Sequence, residues 1–228
     1  MDSETAARPM GGARTALLSA GRRAVARFVR EAHHRIYTWY CERKFSVSTR
    51  GRIQAEDLGV ANRDSIGYSA LEYEYLLWAL PAIPFPAAEV VFVDYGAGKG
   101  RALAAAAAQP FRKVIGVEIS GDLVQIARRN LARMKRRRAE HIEIHHTDAA
   151  VFAVPEDANV FFFFNPFGGA TLERVVERIR ESWTAHSREV FFIYFNHGRF
   201  DECVATQPWL RKVHETSFCG FYRLASAL

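Results

Sequence analysis

From residue 89 onward, short apolar runs alternate with longer amphipathic stretches. The pattern predicts strands near 89–94, 113–118, 141–146, 159–164 and 189–195, with helices near 99–109, 121–136 and 170–185. Strand and helix repeated in this order imply a parallel sheet joined by right-handed crossovers. After Tyr194-Phe195-Asn196-His197, a short helix near 200–206 leads to two apolar runs, Trp209 to Glu215 and Gly220 to Leu224, close enough to pair as a hairpin. Upstream, Tyr68 to Leu80 predicts a helix that Pro81 stops, and Pro84 and Pro86 stiffen the lead into the first strand. Between about Arg14 and Tyr40, Leu17, Leu18, Val25, Phe28, Val29, Ile36, Tyr37 and Tyr40 recur at helical spacing among arginines, which predicts one or two basic amphipathic helices. Arg43 to Asp64 is polar with short apolar interruptions and reads as an irregular linker, and Met1 to Ala13 reads as a disordered tail. The expected organisation is therefore a tail over 1–13, a basic helical arm and linker over 14–65, and a ligand-binding domain over 66–228.

The chemistry concentrates where the first predicted strand ends. Val90 to Val93 run into Asp94 and then into Gly96, Gly98 and Gly100, followed by the alanine-rich stretch Arg101 to Ala108. Glycines let a backbone turn sharply and approach a ligand with no Cβ in the way. A helix starting at Arg101 would aim its first N–H groups back at that ligand. A nucleotide-like ligand is expected at this turn. The spacing fits neither the dinucleotide fingerprint G-x-G-x-x-G nor the phosphate loop ending in G-K-[ST].

The pattern Asp94-x-Gly96-x-Gly98-x-Gly100 instead resembles motif I of the class I S-adenosylmethionine-dependent methyltransferases. Three further elements follow in order. Val114 to Glu118 resembles the second strand, whose acid in this family grips the ribose hydroxyls. Ile142 to Ala149 resembles the third strand, with Asp148 as the acid that meets the adenine amino group. Val160 to Phe167 resembles the fourth strand, running into the loop beside the transferred methyl. The resemblance spans roughly residues 66–225. It implies an α/β fold with a Rossmann-like seven-stranded methyltransferase sheet, mostly parallel with a C-terminal antiparallel hairpin, plus an N-terminal helical extension. It implies S-adenosyl-L-methionine as cofactor, held by Tyr68, Asp94, Gly96, Ala97, Gly98, Lys99, Gly100, Arg101, Glu118, Ile119, Asp148, Ala149 and Asn165. Asp94 is expected to meet the methionyl ammonium directly or through water, and Lys99 or Arg101 the methionine carboxylate. The helix before motif I lids the cofactor pocket in many members, which makes Tyr68 and Tyr73 pocket candidates beside their reading as core residues.

Asn165-Pro166-Phe167 resembles the [DN]-P-P-[YFW] motif of amino-group methyltransferases, with one proline where that motif has two. Non-SET protein-lysine methyltransferases carry a similarly placed Asn and aromatic. The three residues are the candidate catalytic group, and the expected acceptor is nitrogen of a protein side chain or small amine. A free lysine has a pKa of about 10.4, so such an enzyme must favour the neutral amine. His197, just past the fifth strand, is read either as a base near the substrate or as a loop histidine. His141, His145 and His146 are read as partly exposed strand residues, and no metal site is expected.

Composition narrows the setting. The chain has 228 residues, 49% of them hydrophobic, enough for a full core. No apolar run reaches the roughly 18 residues of a membrane-spanning helix, and no secretory signal is visible, so the cytoplasm is the expected location. Cys41, Cys203 and Cys219 lie far apart and read as reduced, buried thiols. The net charge of +6 sits in the N-terminal arm: residues 1–50 hold ten Lys or Arg against four Asp or Glu, and the remainder holds 21 of each. The arm is read as packing on the core or on a second subunit as a homodimer, with an anionic membrane surface or, less favoured, nucleic acid as other partners. A second basic cluster, Arg128 to Arg138, is read as solvated surface at a helix end, with RNA as the alternative. Two competing functions remain: a catalytically inactive methyltransferase-like protein that binds through its arm, and an NAD-dependent oxidoreductase, which the glycine spacing and the terminal hairpin disfavour.

Overall fold

The computed structural model describes residues 11–59, 64 and 66–224, with 11–21 and 23 described by backbone alone. One long helix, α1 (Gly11–Phe45), replaces the one or two helices expected. The first ten residues of the predicted tail lie outside the described residues, and its last three belong to α1.

The segment after α1 is built into the domain. Strand β1 (Arg52–Ile53) pairs antiparallel with β2 (Tyr68–Ser69), forming a short ribbon where an irregular linker and the start of a helix were expected. Helix α2 therefore spans only Tyr73–Ala79, with a single 3-10 turn at Leu80–Ala82. Gly67 lets the chain turn into this ribbon close against β1. Its φ is +84°, and a Cβ on it would stand 2.7 Å from the Ile53 carbonyl oxygen. The tertiary contact outweighs the helix propensity of Ala70 to Glu72.

The main sheet contains β3 (Val91–Tyr95), β4 (Lys113–Glu118), β5 (His141–His146), β6 (Val160–Phe164), β7 (Phe191–Phe195), β8 (Leu210–Glu215) and β9 (Cys219–Leu224). Their spatial order is β5-β4-β3-β6-β7-β9-β8. Strands β3 to β7 pair in parallel, whereas β9 runs antiparallel to β7 and pairs with β8 as the expected hairpin. The crossovers are α3 (Arg101–Ala107), α4 (Gly121–Ala132) and α5 (Gly169–Ala185), and α6 (Gly198–Ala205) precedes the hairpin. Helix α4 stops four residues short of its predicted end. The Lys135 N–H donates to the Phe45 carbonyl and the Arg138 N–H to the Ala107 carbonyl, so residues 135–138 are held as a loop across the ends of α1 and α3.

Strand alternation divides the core in two. Val91, Val93, Tyr95, Phe161, Phe163, Phe192 and Tyr194 pack toward α5 and α6, while Phe92, Phe162, Ile193 and Phe195 face α2, α3 and the end of α1. The strand order reverses at β3, with β4 on one side and β6 on the other. At such a reversal the crossovers leave in opposite directions, and a crevice opens at the carboxyl ends of the strands. All three cysteines are buried free thiols.

Candidate functional site

The crevice is walled from the glycine loop outward. The Gly96 and Ala97 N–H groups both donate to the Val117 carbonyl, at 2.9 and 3.1 Å, which folds the loop back onto the end of β4. Gly96, Gly98 and Gly100 have φ of +78°, +54° and +83°, a region that side-chain-bearing residues rarely enter. A Cβ on Gly98 would stand 2.4 Å from the Tyr68 ring. The loop is thus shaped by its own glycines and closed from above by β2.

Glu118 ends β4 inside this loop. Its Oε2 accepts from the Gly98 N–H at 2.8 Å and its Oε1 from the Ser120 N–H at 2.9 Å. Burial raises its pKa, and the backbone donors oppose that rise. Asp148 lies beyond the end of β5, where its Oδ1 accepts from the Ala150 N–H at 2.8 Å. Two carboxylates at the ends of neighbouring strands therefore share one cavity with Val117, Ile119, Leu123 and Ala149. Its empty volume is about 850 Å³, part of it open to solvent. Carboxylates that accept from hydroxyl and amino groups, set beside apolar side chains that cover a planar ring, suit a nucleoside.

Across the crevice stand two asparagines. Asn165 follows β6 with φ +44° and Asn196 follows β7 with φ +59°, and both line the cavity. Phe164 and Phe195 are register partners in the parallel pair, so the two asparagines leave adjacent strands at the same level. Left-handed backbone at a non-glycine residue carries a conformational cost and is common where a chain turns sharply at a functional site. Pro166 and Phe167 also line the cavity; Phe167 is buried edge-on against Phe163, with ring centroids 6.4 Å apart.

Tyr68, Gly96, Gly98, Glu118, Ile119, Asp148, Ala149, Asn165, Pro166 and Phe167 come together on this wall. Other residues expected at the site stand elsewhere. Arg101 is buried and turned toward the arm: its Nε donates to Thr49 Oγ1 at 2.8 Å, its Nη1 to the Leu71 carbonyl at 3.1 Å, and its guanidinium lies 3.7 Å from Glu42 and 4.9 Å from the Tyr73 ring centre. Tyr73 is accordingly a core residue. Lys99 donates to the Arg50 carbonyl at 2.8 Å and lies over the Tyr68 ring. Desolvation, then the neighbouring Arg101 charge, lowers its pKa. Asp94, Ala97 and Gly100 are not part of the cavity wall. Asp94 is 3% exposed, and burial followed by the Glu118 charge pushes its carboxyl up to about 8. His197 is held by Asp201 at 2.7 Å and by the Thr216 carbonyl at 3.1 Å, in a knot that includes Tyr222 and Lys212 on Asp201.

The sequence reading missed Asn196 beside His197, although both aromatic strands end in Phe-Asn, a repetition that signals it. It also missed Leu58, which lines the cavity from the segment read as linker, and Ile66, at the very start of the predicted domain. Leu58 is one of the apolar interruptions of that polar stretch.

Parallel strands in this order, a closing antiparallel hairpin and a nucleoside-shaped crevice at the strand ends define a Rossmann-like class I methyltransferase fold. Residues 92–185 match the methyltransferase domain family. The fold is similar to that of an S-adenosylmethionine-dependent O-methyltransferase from Thermotoga maritima, at TM-score 0.53 and 11% identity over 71% of this chain and 68% of that one. An RNA methyltransferase from Salinibacter ruber in complex with S-adenosyl-L-homocysteine aligns at TM-score 0.49 and 20% identity, over 70% of this chain and 96% of that one. A precorrin 8w decarboxylase from Methanobacterium thermoautotrophicum aligns at TM-score 0.49 and 14% identity, over 74% and 97%. No curated protein sequence matches this chain. No helix among the described residues is long and apolar enough to cross a membrane.

Proposed function

We propose that this protein N-methylates a protein side chain or a small amine, with residues 66–228 as the catalytic domain and 14–65 as its arm, acting in the cytoplasm. The observation that carries this reading is the asparagine pair, Asn165 and Asn196, on the cavity wall facing the two carboxylates. The sulfonium cofactor supplies the methyl group, and the chain aligns the nucleophile and excludes water. Glu118 accepts hydrogen bonds from the ribose and Asp148 from the adenine amino group. Gly96 and Gly98 allow the loop to close on the amino-acid end of the cofactor. The Asn165 side-chain oxygen and the carbonyls of the turn accept hydrogen bonds from the acceptor amine. This holds its lone pair toward the methyl group, and the positive charge of the sulfonium disfavours the protonated amine there. Phe167 packs behind that turn and fixes it.

Calorimetric titration with S-adenosylmethionine and S-adenosylhomocysteine, on the wild type and on Glu118→Ala, tests the cofactor site. Transfer of labelled methyl to amines and to cell proteins, with mass analysis of the product, tests the acceptor. Base-stable label on an amine nitrogen, transferred roughly 10- to 100-fold more slowly by Asn165→Ala, is the expected result. Failure to bind either ligand, or label found only on oxygen, would overturn the proposal.

A further inference from the structure

The amino-terminal helix has two apolar faces, and only one of them meets the domain. Toward its end, Thr38, Cys41 and Phe45 are buried against the core at spacings of three and four. On the opposite side Val25, Phe28, Val29, Ile36, Trp39 and Tyr40 form a second stripe at the same helical spacing. All six are exposed, Phe28 by 72% and Ile36 by 67%. From Ala24 to Glu31 every residue is exposed, so this part of α1 stands clear of the described domain. A short stretch of helix in water is marginal unless one of its faces is covered.

The charges say what covers it. Along α1 there are eight Lys or Arg against two Glu, so a second copy laid along the stripe would bring like charge against like charge. Cations are also paired with the aromatic edge of the stripe: the Arg43 guanidinium lies 5.1 Å from the Trp39 ring centre and the Lys44 ammonium 5.9 Å from that of Tyr40. Where α1 reaches the domain, Trp39 also forms one wall of an open cleft whose other walls include Arg43, Arg133 and Lys135 beside Arg50, which is paired with Glu42 at 2.7 Å. An apolar stripe with an aromatic end, flanked by arginines and opening onto a basic cleft, matches the anatomy of a helix that lies in a bilayer interface. The apolar residues enter the acyl boundary while long basic side chains reach back to the phosphates. We infer that α1 docks this protein on an anionic phospholipid surface, with Arg43, Arg133 and Lys135 of the cleft receiving lipid phosphate. Nucleic acid would use the charges and leave six large apolar side chains in water.

The test is sedimentation of the purified full chain with phosphatidylcholine vesicles, with and without a minor share of phosphatidylglycerol. Binding about tenfold or more tighter to the anionic vesicles, and weakened by salt, is expected. The Ile36→Asp/Trp39→Asp double variant should lose it, and Arg133→Glu/Lys135→Glu should weaken it. S-adenosylmethionine titration of each variant serves as the folding control, and a variant that fails it is replaced by Phe28→Asp, which lies on the free part of the helix. No vesicle binding, or equal binding to neutral and anionic vesicles, would overturn the inference. A concentration-dependent dimer that Ile36→Asp dissociates, or RNA binding that survives Ile36→Asp/Trp39→Asp without vesicle binding, would overturn it too.

Discussion

Gly96 and Pro166 meet across the crevice with no room for another carbon: a Cβ on Gly96 would stand 2.4 Å from Pro166 Cβ. The cofactor loop and the loop beside the acceptor are therefore one mechanical unit. Since Gly96 also has φ of +78°, Gly96→Ala meets both a backbone cost and a clash. A loss of about 1–3 kcal/mol of stability is expected, with cofactor affinity and methyl transfer falling together. Urea denaturation and calorimetry on the same variant check it. Unchanged affinity would show that the two loops move independently.

Asn165 separates conformational cost from chemistry. Its left-handed backbone suits glycine better than alanine, so Asn165→Gly should retain or gain stability while Asn165→Ala loses some. Both remove the side-chain oxygen, and both should lower kcat roughly 10- to 100-fold with cofactor affinity little changed. Asn196→Ala should show a similar loss with the acceptor and none with the cofactor. Single-turnover kinetics at saturating cofactor distinguish these outcomes.

Glu42 and Arg101 tie α1 to the first helix after the glycine loop. Glu42 accepts from the Thr49 N–H at 2.7 Å and from its hydroxyl at 2.9 Å, and Arg101 donates to that same hydroxyl. Each keeps a second partner, Arg50 at 2.7 Å from Glu42 and Glu72 at 3.7 Å from Arg101, so removing one weakens the pairing of the other without leaving its charge alone. Glu42→Ala or Arg101→Ala should therefore cost about 1.5–3 kcal/mol. Guanidinium denaturation measures this. A cost under about 1 kcal/mol would mean that solvent enters the network.

Asp94 gives stability a pH dependence of definite sign. Its carboxyl is pushed up to about 8 in the folded protein, and it would titrate near the ordinary carboxylate value in the unfolded chain. Between those values the folded state holds a proton that the unfolded state has released. Its contribution to stability is thus full below pH of about 4 and is lost as pH rises through about 8. Glu118, also raised by burial, acts in the same direction. Calorimetric Tm of the cofactor-free protein should fall between about pH 5 and about pH 8, and Asp94→Asn should flatten that fall. An equal slope in the variant would place the titration elsewhere.

Most of the sheet and half of the site are local enough to read from the chain. Val91 to Val93 and Phe191 to Phe195 are apolar throughout because both faces of a parallel sheet are buried, and the glycines at 96, 98 and 100 mark the turn because other residues rarely take that backbone. Glu118 and Asp148 are legible for the same reason, each sitting where a strand pattern stops. What the sequence left undecided are the contacts made across long separations. Arg101, adjacent to the loop in sequence, turns to Thr49, Glu42 and the Leu71 carbonyl because those partners satisfy a buried guanidinium. Asn196 joins Asn165 only because β6 and β7 pair in register, and Tyr68 closes over Gly98 only because β2 pairs with β1. Periodicity and turn chemistry report where elements begin and end. Which side chains then face one cavity is set by strand register and by the partners that buried polar groups require, and those exist only once the chain has folded.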